Sequence, residues 1–437
     1  MKVLKFGGTS VGTAQRMKDV TELVASRGKN IVVFSAMSGT TNTLVEISDY
    51  LYKKNLTGAK ETINKLEAKY AATIDELFST EEYKHKASEA IKERFDFIRS
   101  FNKPIFTLFE EKEILAQGEL MSTTLMINYM YERGINAIML PALDFMRTDK
   151  NAEPDSQYIH DKLTALLAEN PDADLYITQG YICKNAYGEM DNLQRGGSDY
   201  TASLIGAAIN AEEIEIWTDI DGMHNNDPRF VEGTKPVGEL HFEEAAELAY
   251  FGAKILHPTC VLPAKLNNIP VRLLNTMQPD APGTVIYNAR PSNKIKAVAA
   301  KDNITAIKIK SSRMLLAYGF LRKVFEIFET HRTSIDMIVT SEVGVSVTVD
   351  NELNLPAILE DLKKFGTVTV DRDMVIICVV GDLEWQNRGF EAEVVNALKD
   401  IPVRMISYGG SNYNISLLVR KQDKIKALNL LSKHLFD

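Results

Sequence analysis

Short apolar runs punctuate the first 290 residues: VLKF from Val3, NIVVFSA from Asn30, DLYITQGYI from Asp174 and EIEIWT from Glu213. Between them lie segments with apolar positions three and four apart, the helical period. Strands alternating with helices in this way predict an α/β domain built on a largely parallel sheet. Between Ala59 and Ala116 the chain turns Glu- and Lys-rich, as in KETINKLEAKYAATIDELF. That stretch reads as solvated helices without a convergent polar motif.

After Gly283 the texture changes. Short strand-like runs begin at KIKAVAA (Lys294 to Ala300), and an internal repeat follows. GFLRKVFEIF with SIDMIVTSEVGVSVTVD answers GFEAEVVNAL with PVRMISYGGSNYNISLLV, so that Gly319-Phe320 matches Gly389-Phe390 and Asp336-Met337-Ile338 matches Arg404-Met405-Ile406. Each copy reads strand, helix, strand, strand, helix, and the second stops at its helix near Asp423 to Leu435 without a closing strand. The run at 294–300 fills that gap if the first module is inserted within the second. The division expected is therefore 1–290 for the first domain and 291–437 for the repeat region. Within the latter, one module of about 302–372 sits inside another of about 293–301 plus 373–437.

Composition narrows the class. At 437 residues the chain exceeds the ~250–300 at which single cores stop growing, so two or three domains are expected. The net charge is −9, with Lys and Arg dispersed rather than clustered, which argues against a nucleic-acid surface and a polybasic membrane patch. Three distant cysteines, Cys183, Cys260 and Cys378, indicate neither a disulfide framework nor a zinc site. MKVLKFGG has no apolar signal core and no run reaches a membrane-spanning length, so a cytoplasmic location is expected.

Four places put glycine or small residues at the end of a strand-like run, where ligands bind in open α/β sheets. In VLKFGGTSVG, Lys5 precedes Gly7, Gly8, Thr9 and Ser10. Such a turn either cradles a phosphate or simply joins strand to helix, and Thr13 stands where a Walker A loop needs lysine. SAMSGTTNTL, with Ser35, Ser38, Gly39 and Thr41, reads as a helix cap as readily as a binding loop. QGELMST offers Glu119 ahead of an apolar helix, as a ligand or as a helix-dipole partner. LQRGGSDYTASL brings Arg195, Gly196, Gly197, Ser198 and Asp199 together, either to grip an anion or as an Arg-Asp staple of the turn. Downstream, Thr218 and Asp219 end a strand, and Arg229 and Lys254 follow. The protein-kinase, HExxH and GxGxxG signatures are absent, and the seven histidines, His224 and His257 among them, lack ligand spacing. A phosphate-handling α/β enzyme for a small polar partner remains.

Taken in order, KFGGTSVG, SAMSGTTNTL, GELMST, RGGSDYTASL, WTDIDGMHNNDPR and FGAKILHP closely resemble the motifs of aspartokinases, members of the amino-acid kinase family. The resemblance runs from Lys2 to the C-terminus. It implies a three-layer αβα sandwich kinase domain followed by two ferredoxin-like α+β ACT modules. The implied reaction is ATP plus L-aspartate giving 4-phospho-L-aspartate and ADP, the entry to lysine, threonine and methionine synthesis, with Mg²⁺ carried on the ATP phosphates. By similarity, Lys5 neutralises the transferring phosphate with Gly7, Gly8, Thr9 and Ser10 around it. Thr41, Glu119, Arg195 and Ser198, with Gly196 and Gly197, hold aspartate, Glu119 facing its ammonium and Arg195 its α-carboxylate. Asp199 orders the reacting groups, and Thr218, Asp219, His224, Arg229 and Lys254 form the ATP side. Tyrosine is common in the family where this chain has His224, and phenylalanine where it has Tyr181.

The repeat resembles the effector site of lysine-inhibited aspartokinases at Met314, Gly319, Leu321, Asp336, Thr340, Ser341, Glu342 and Val343, with Ala317 in place of the usual serine. Lysine is the expected effector, and pairing through ACT modules into a homodimer or dimer of dimers is the expected assembly. The segment SEVGVSVTV is also simply an alternating strand. A catalytically silent amino-acid sensor and another amino-acid kinase of the same fold are the alternatives. A fusion to homoserine dehydrogenase is disfavoured, because the chain ends at Asp437 directly after the second module.

Overall fold

The computed structural model describes residues 1–436 except 104, 194–196, 253–257, 291 and 312–317. It divides into two compact units, Met1–Gly222 with Leu256–Asn288, and Met223–Ile255 with Ala289–Asp437. The chain opens with β1 (Lys2–Phe6), α1 (Ala14–Ala25), β2 (Asn30–Phe34), α2 (Thr40–Tyr52), α3 (Leu56–Leu77), α4 (Glu81–Ser100) and α5 (Leu108–Glu132). It continues with β3 (Ala137–Met139), α6 (Ala142–Phe145), α7 (Ser156–Glu169), β4 (Leu175–Gln179), the hairpin β5 (Ile182–Lys184) and β6 (Met190–Asn192), α8 (Gly197–Ile209) and β7 (Ile214–Thr218). After β8 (Glu239–His241) and α9 (Phe242–Tyr250) of the second unit, it returns with α10 (Leu262–Leu266), β9 (Val271–Asn275) and β10 (Thr284–Tyr287).

In the first unit the strand order is β3-β4-β2-β1-β7-β9-β10, parallel throughout except for the antiparallel β9–β10 pair. Phe6 lies opposite Phe34 on one side and Trp217 on the other, so these strands end level with one another. A strand covered on both faces must be apolar at every position, which is why β2 reads IVVF without alternation and is buried along its whole length. Phe6 and Trp217 stack with ring centroids 5.7 Å apart and sit in one core with Leu4, Val32 and Phe34. Helix α5 starts at a capping box, Thr107 with Glu110, and is buried over most of its second half, as a central helix should be.

The most deeply buried charged side chain beside this core, among the described residues of the first unit, is Glu215. The Glu215 side chain is 1 % exposed and accepts from Lys2 at 2.9 Å, Arg27 at 3.1 Å and the Trp217 indole at 3.0 Å. Arg27 also lies over the Trp217 ring, 4.7 Å from its centroid. A buried carboxylate persists only when its lone pairs are met in this way.

The second unit adds β11 (Ile295–Lys310), α11 (Phe320–Thr330), β12 (Ile338–Ser341), β13 (Gly344–Val349), α12 (Leu355–Lys363), β14 (Thr367–Gly381), α13 (Phe390–Ala397), β15 (Val403–Tyr408), β16 (Asn414–Arg420) and α14 (Lys424–Leu435). Its six-stranded antiparallel sheet has the order β12-β13-β11-β14-β16-β15. The two long strands are each used twice. Residues Thr305–Lys310 of β11 pair with β13 and with Thr367–Asp371, whereas Ala297–Lys301 pair with Ile376–Val380, which in turn meet β16. Register shifts between Lys301 and Ala306 separate the two uses. Each half has its own apolar core, one around Val324 and Ile358, the other around Val394 and Leu428. Gly319 (φ +78°) and Gly389 (φ +102°) begin the equivalent helices α11 and α13 in a conformation that disfavours any other residue. Among the described residues no helix is long and apolar enough to cross a membrane.

Replacing Glu215 with alanine leaves the buried indole N–H unpartnered, takes the carboxylate from Arg27 and leaves Lys2 with Glu213 alone. We expect Glu215→Ala to destabilise the first unit by about 2–4 kcal/mol. Denaturant unfolding followed by Trp217 fluorescence checks this, and an unchanged midpoint refutes it.

Candidate active site

Parallel pairing brings the ends of β1, β2, β4 and β7 to one edge of the sheet. Lys5, one residue from the end of β1, points its ammonium at Asp199 in the first turn of α8, with Nζ to Oδ1 at 2.6 Å. Both side chains are mostly buried, 12 % and 16 % exposed, so the pair is only weakly screened. The loop after β1 is held by Gly7 N–H donating to the Trp217 carbonyl at 3.2 Å and by Ser38 N–H donating to the Gly8 carbonyl at 3.0 Å. A Cβ on Gly8 would stand 2.7 Å from the Ala36 carbonyl oxygen, so only glycine lets the loops after β1 and β2 touch.

Beside this pair opens a cavity of about 340 Å³, whose lining includes Gly8, Ser38, Thr41, Glu119, Gly197 and Ser198. Glu119 is 4 % exposed. Its Oε1 accepts from the Ala36 N–H at 3.2 Å, while Oε2 is buried with no hydrogen-bond partner among the described residues. Burial pushes its carboxyl up to about 8, against the opposing pull of the Ala36 N–H and the Lys5 charge. The residue lies inside α5 rather than ahead of a helix start, a correction to the sequence reading. Gly118 explains the continuity: its missing Cβ would sit 2.9 Å from the Ala36 side chain, so the helix runs unbroken against the β2 loop.

An acidic group, a cation–anion pair and a glycine-lined floor at the edge of a parallel sheet match a recognisable family. Residues 1–275 match the amino acid kinase family, and residues 377–435 match the ACT domain. The lysine-sensitive aspartokinase 3 of Escherichia coli is 33 % identical over 448 residues, covering 100 % of this chain and 99 % of that one. This chain belongs to the aspartokinases. Two crystal structures of Escherichia coli aspartokinase III, one with aspartate and ADP and one with lysine and aspartate, superimpose with TM-scores of 0.85 and 0.83. They are 32 % and 33 % identical to this chain, and each match covers 100 % of both chains.

Other residues singled out by the aspartokinase motifs have different surroundings. Ser10 is 1 % exposed, and its hydroxyl shares a hydrogen bond with Thr276 at 2.7 Å, so it ties the β1 loop to the end of β9. The Thr9 carbonyl accepts from Arg16 at 2.7 Å. Thr218 ends β7 and Asp219 follows it, with the Asp219 N–H donating to the Thr218 hydroxyl at 2.6 Å. His224 and Arg229 belong to the second unit; His224 Nδ1 meets Thr234 at 2.9 Å, and Arg229 pairs with Asp227 at 2.6 Å. Arg195, Gly196, Lys254 and Met314 lie outside the described residues.

The cavity lining also includes Ala36, Met37, Asn42 and Tyr181, none of which the sequence reading assigned a role at the site. Tyr181 holds a left-handed backbone (φ +67°) that orients its ring at Gly197, 3.6 Å from where a Cβ would be. The motifs mark it only as a place where the family commonly has phenylalanine; its strained backbone beside the cavity is visible in the structure alone, since a sequence does not display φ.

The raised Glu119 carboxyl predicts a pH dependence of stability. The unfolded chain releases this proton near 4.5 and the folded chain near 8, so between them the folded state holds one proton more. Stability is therefore lost as pH rises through that window and levels off above it. Glu119→Gln has no such titration. Its melting temperature relative to the native protein should climb from pH 5 to pH 8 and then plateau; a pH-independent difference refutes the assignment.

Proposed function

We propose that this aspartokinase binds L-aspartate in the cavity beside Lys5 and transfers the γ-phosphoryl group of ATP to its β-carboxylate, releasing ADP and 4-phospho-L-aspartate. The observation that carries the reading is Glu119, which lines the cavity with Gly197 and Ser198, the residues just before the Lys5 partner Asp199, and whose buried Oε2 has no hydrogen-bond partner among the described residues. A substrate ammonium supplies the missing partner, and its charge keeps Glu119 ionised below pH 8. Thr41 and Ser198 line the same cavity and supply hydroxyl donors to carboxylate oxygens. Arg195, Gly196 and Gly197 complete the grip on the α-carboxylate in this reading.

The acceptor carboxylate is already ionised at neutral pH, so no general base is needed. Phosphoryl transfer has a loose transition state, and catalysis is mostly positioning and charge stabilisation. Lys5 provides the positive charge, Gly7, Gly8 and Thr9 the close backbone approach, and Asp199 holds the Lys5 ammonium in place. Thr218, Asp219, His224, Arg229 and Lys254 are assigned to the nucleotide. Mg²⁺ is proposed to arrive on the ATP phosphates rather than in a protein cage. When bound, Mg²⁺ supplies charge neutralisation on those phosphates.

The repeat region, with its two modules of about 302–372 and 293–301 plus 373–437, serves in this reading as the feedback sensor. Lysine is the proposed effector, because the similar aspartokinase III has been crystallised with lysine and because Gly319, Leu321, Asp336, Thr340, Ser341, Glu342 and Val343, with Met314, match the lysine-inhibited pattern. Pairing through these modules gives the proposed homodimer or dimer of dimers, and the location proposed is the cytoplasm.

ATP-dependent hydroxamate formation tests the reaction, with product expected from aspartate and none from glutamate. Removing a cation at ~4 Å from the transferring charge loses on the order of 4 kcal/mol at an effective dielectric near 20, roughly a thousandfold in rate. Lys5→Ala should therefore lose turnover while keeping its circular dichroism; near-normal turnover would sink the assignment.

A further inference from the structure

The effector reading singles out Asp336, yet its carboxylate already has an occupant. Its side chain is 1 % exposed, and Oδ1 receives the Lys301 ammonium at 2.7 Å and the Tyr250 hydroxyl at 2.7 Å. Oδ2 is buried without a hydrogen-bond partner among the described residues. Lys301 extends from β11 and also reaches Asp350, at the end of β13, at 2.9 Å. It lies over the Tyr250 ring, 4.4 Å from the centroid. Burial alone would lower the Lys301 pKa, but Asp336 and Asp350 outweigh it, so the amine is held in its charged form.

A primary ammonium on a four-carbon stem, seated on an aspartate and capped by an aromatic ring, has the chemistry of a lysine side chain or of an amino-acid ammonium in a receptor. We propose that Lys301 is a built-in competitor for the effector: it occupies Asp336 in the effector-free protein, and an incoming amino-acid ammonium must take Asp336 over from it. This rests on the reading of Asp336 as an effector ligand. The takeover is an exchange of one ion pair for another. Lys301 keeps Asp350 and the Tyr250 face when it leaves Asp336, so its charge is not stranded. The competition sets how much free effector is needed, since affinity falls by the fraction of time the acceptor is already occupied.

Tyr250 gives the exchange a mechanical reach. It is the last residue of α9, and its hydroxyl is a direct link from that helix to Asp336. Loss or retention of this one hydrogen bond tells α9 whether the carboxylate has changed partners.

The test is calorimetric titration of the full-length protein with lysine, comparing Lys301→Met, Lys301→Arg and Asp336→Asn. Methionine keeps the unbranched stem but lacks the terminal ammonium, so lysine should bind about tenfold more tightly. Arginine grips a carboxylate with two parallel bonds, so lysine should bind more weakly by about the same factor. Opposite shifts from two substitutions at one position are not what a merely structural ion pair produces. Weaker or unchanged binding in Lys301→Met, with a native melting profile, overturns the proposal. Asp336→Asn separates the two readings: if it leaves lysine binding intact, the effector site itself is wrong. If it abolishes binding while both Lys301 variants bind normally, only the competitor role fails.

Discussion

The parallel pairing of β1 between β2 and β7 is the constraint from which the rest of the first unit follows. With Phe6 level with both Phe34 and Trp217, three loops leave the sheet at the same edge and in the same direction. Lys5 is carried there by strand register alone, and its charge then needs a partner in a setting that excludes most water. Asp199 supplies it from the first turn of α8, where a carboxylate also interacts favourably with the helix N-terminus. The loops can close around this pair only because Gly8 and Gly118 leave out side chains that would collide with Ala36.

Much of this was legible beforehand. Full burial leaves β2 and β4 without polar alternation, and the glycine turns after β1 and before α8 are visible as motifs. Glu119 was legible as a residue but not as an environment. Nothing in GELMST shows that the carboxylate sits mid-helix, against the backbone of the β2 loop, with one oxygen met and the other not. Ser10 shows the opposite error of projection. Its neighbours Gly7 and Gly8 belong to the site loop, while its own hydroxyl turns inward to Thr276, more than 260 positions away in the chain, a pairing no local pattern encodes.

In the second unit the repeat was legible because each copy needs the same glycine before its helix and the same alternating strands. The long strands were not. KIKAVAA and the segment after it read as two short pieces, but they form one strand of sixteen residues that serves both halves of the sheet. Each half needs a strand at its centre, and sharing two long strands satisfies both, with register shifts between Lys301 and Ala306 absorbing the mismatch. Lys301 sits at that irregularity, which frees its side chain to reach Asp336 and Asp350 on neighbouring segments.

Amino-acid order alone determined the class of fold, the duplication and the chemical types gathered in the glycine-rich turns, because periodicity, backbone permissiveness and charge are local properties. Tertiary structure alone decided which of those groups face one another. Glu119 gains its raised proton affinity from burial, Asp199 its partner from strand register, and Asp336 its occupant from a sheet irregularity. Each of these is an interaction across long stretches of chain, and its strength is set by distance and by the exclusion of water.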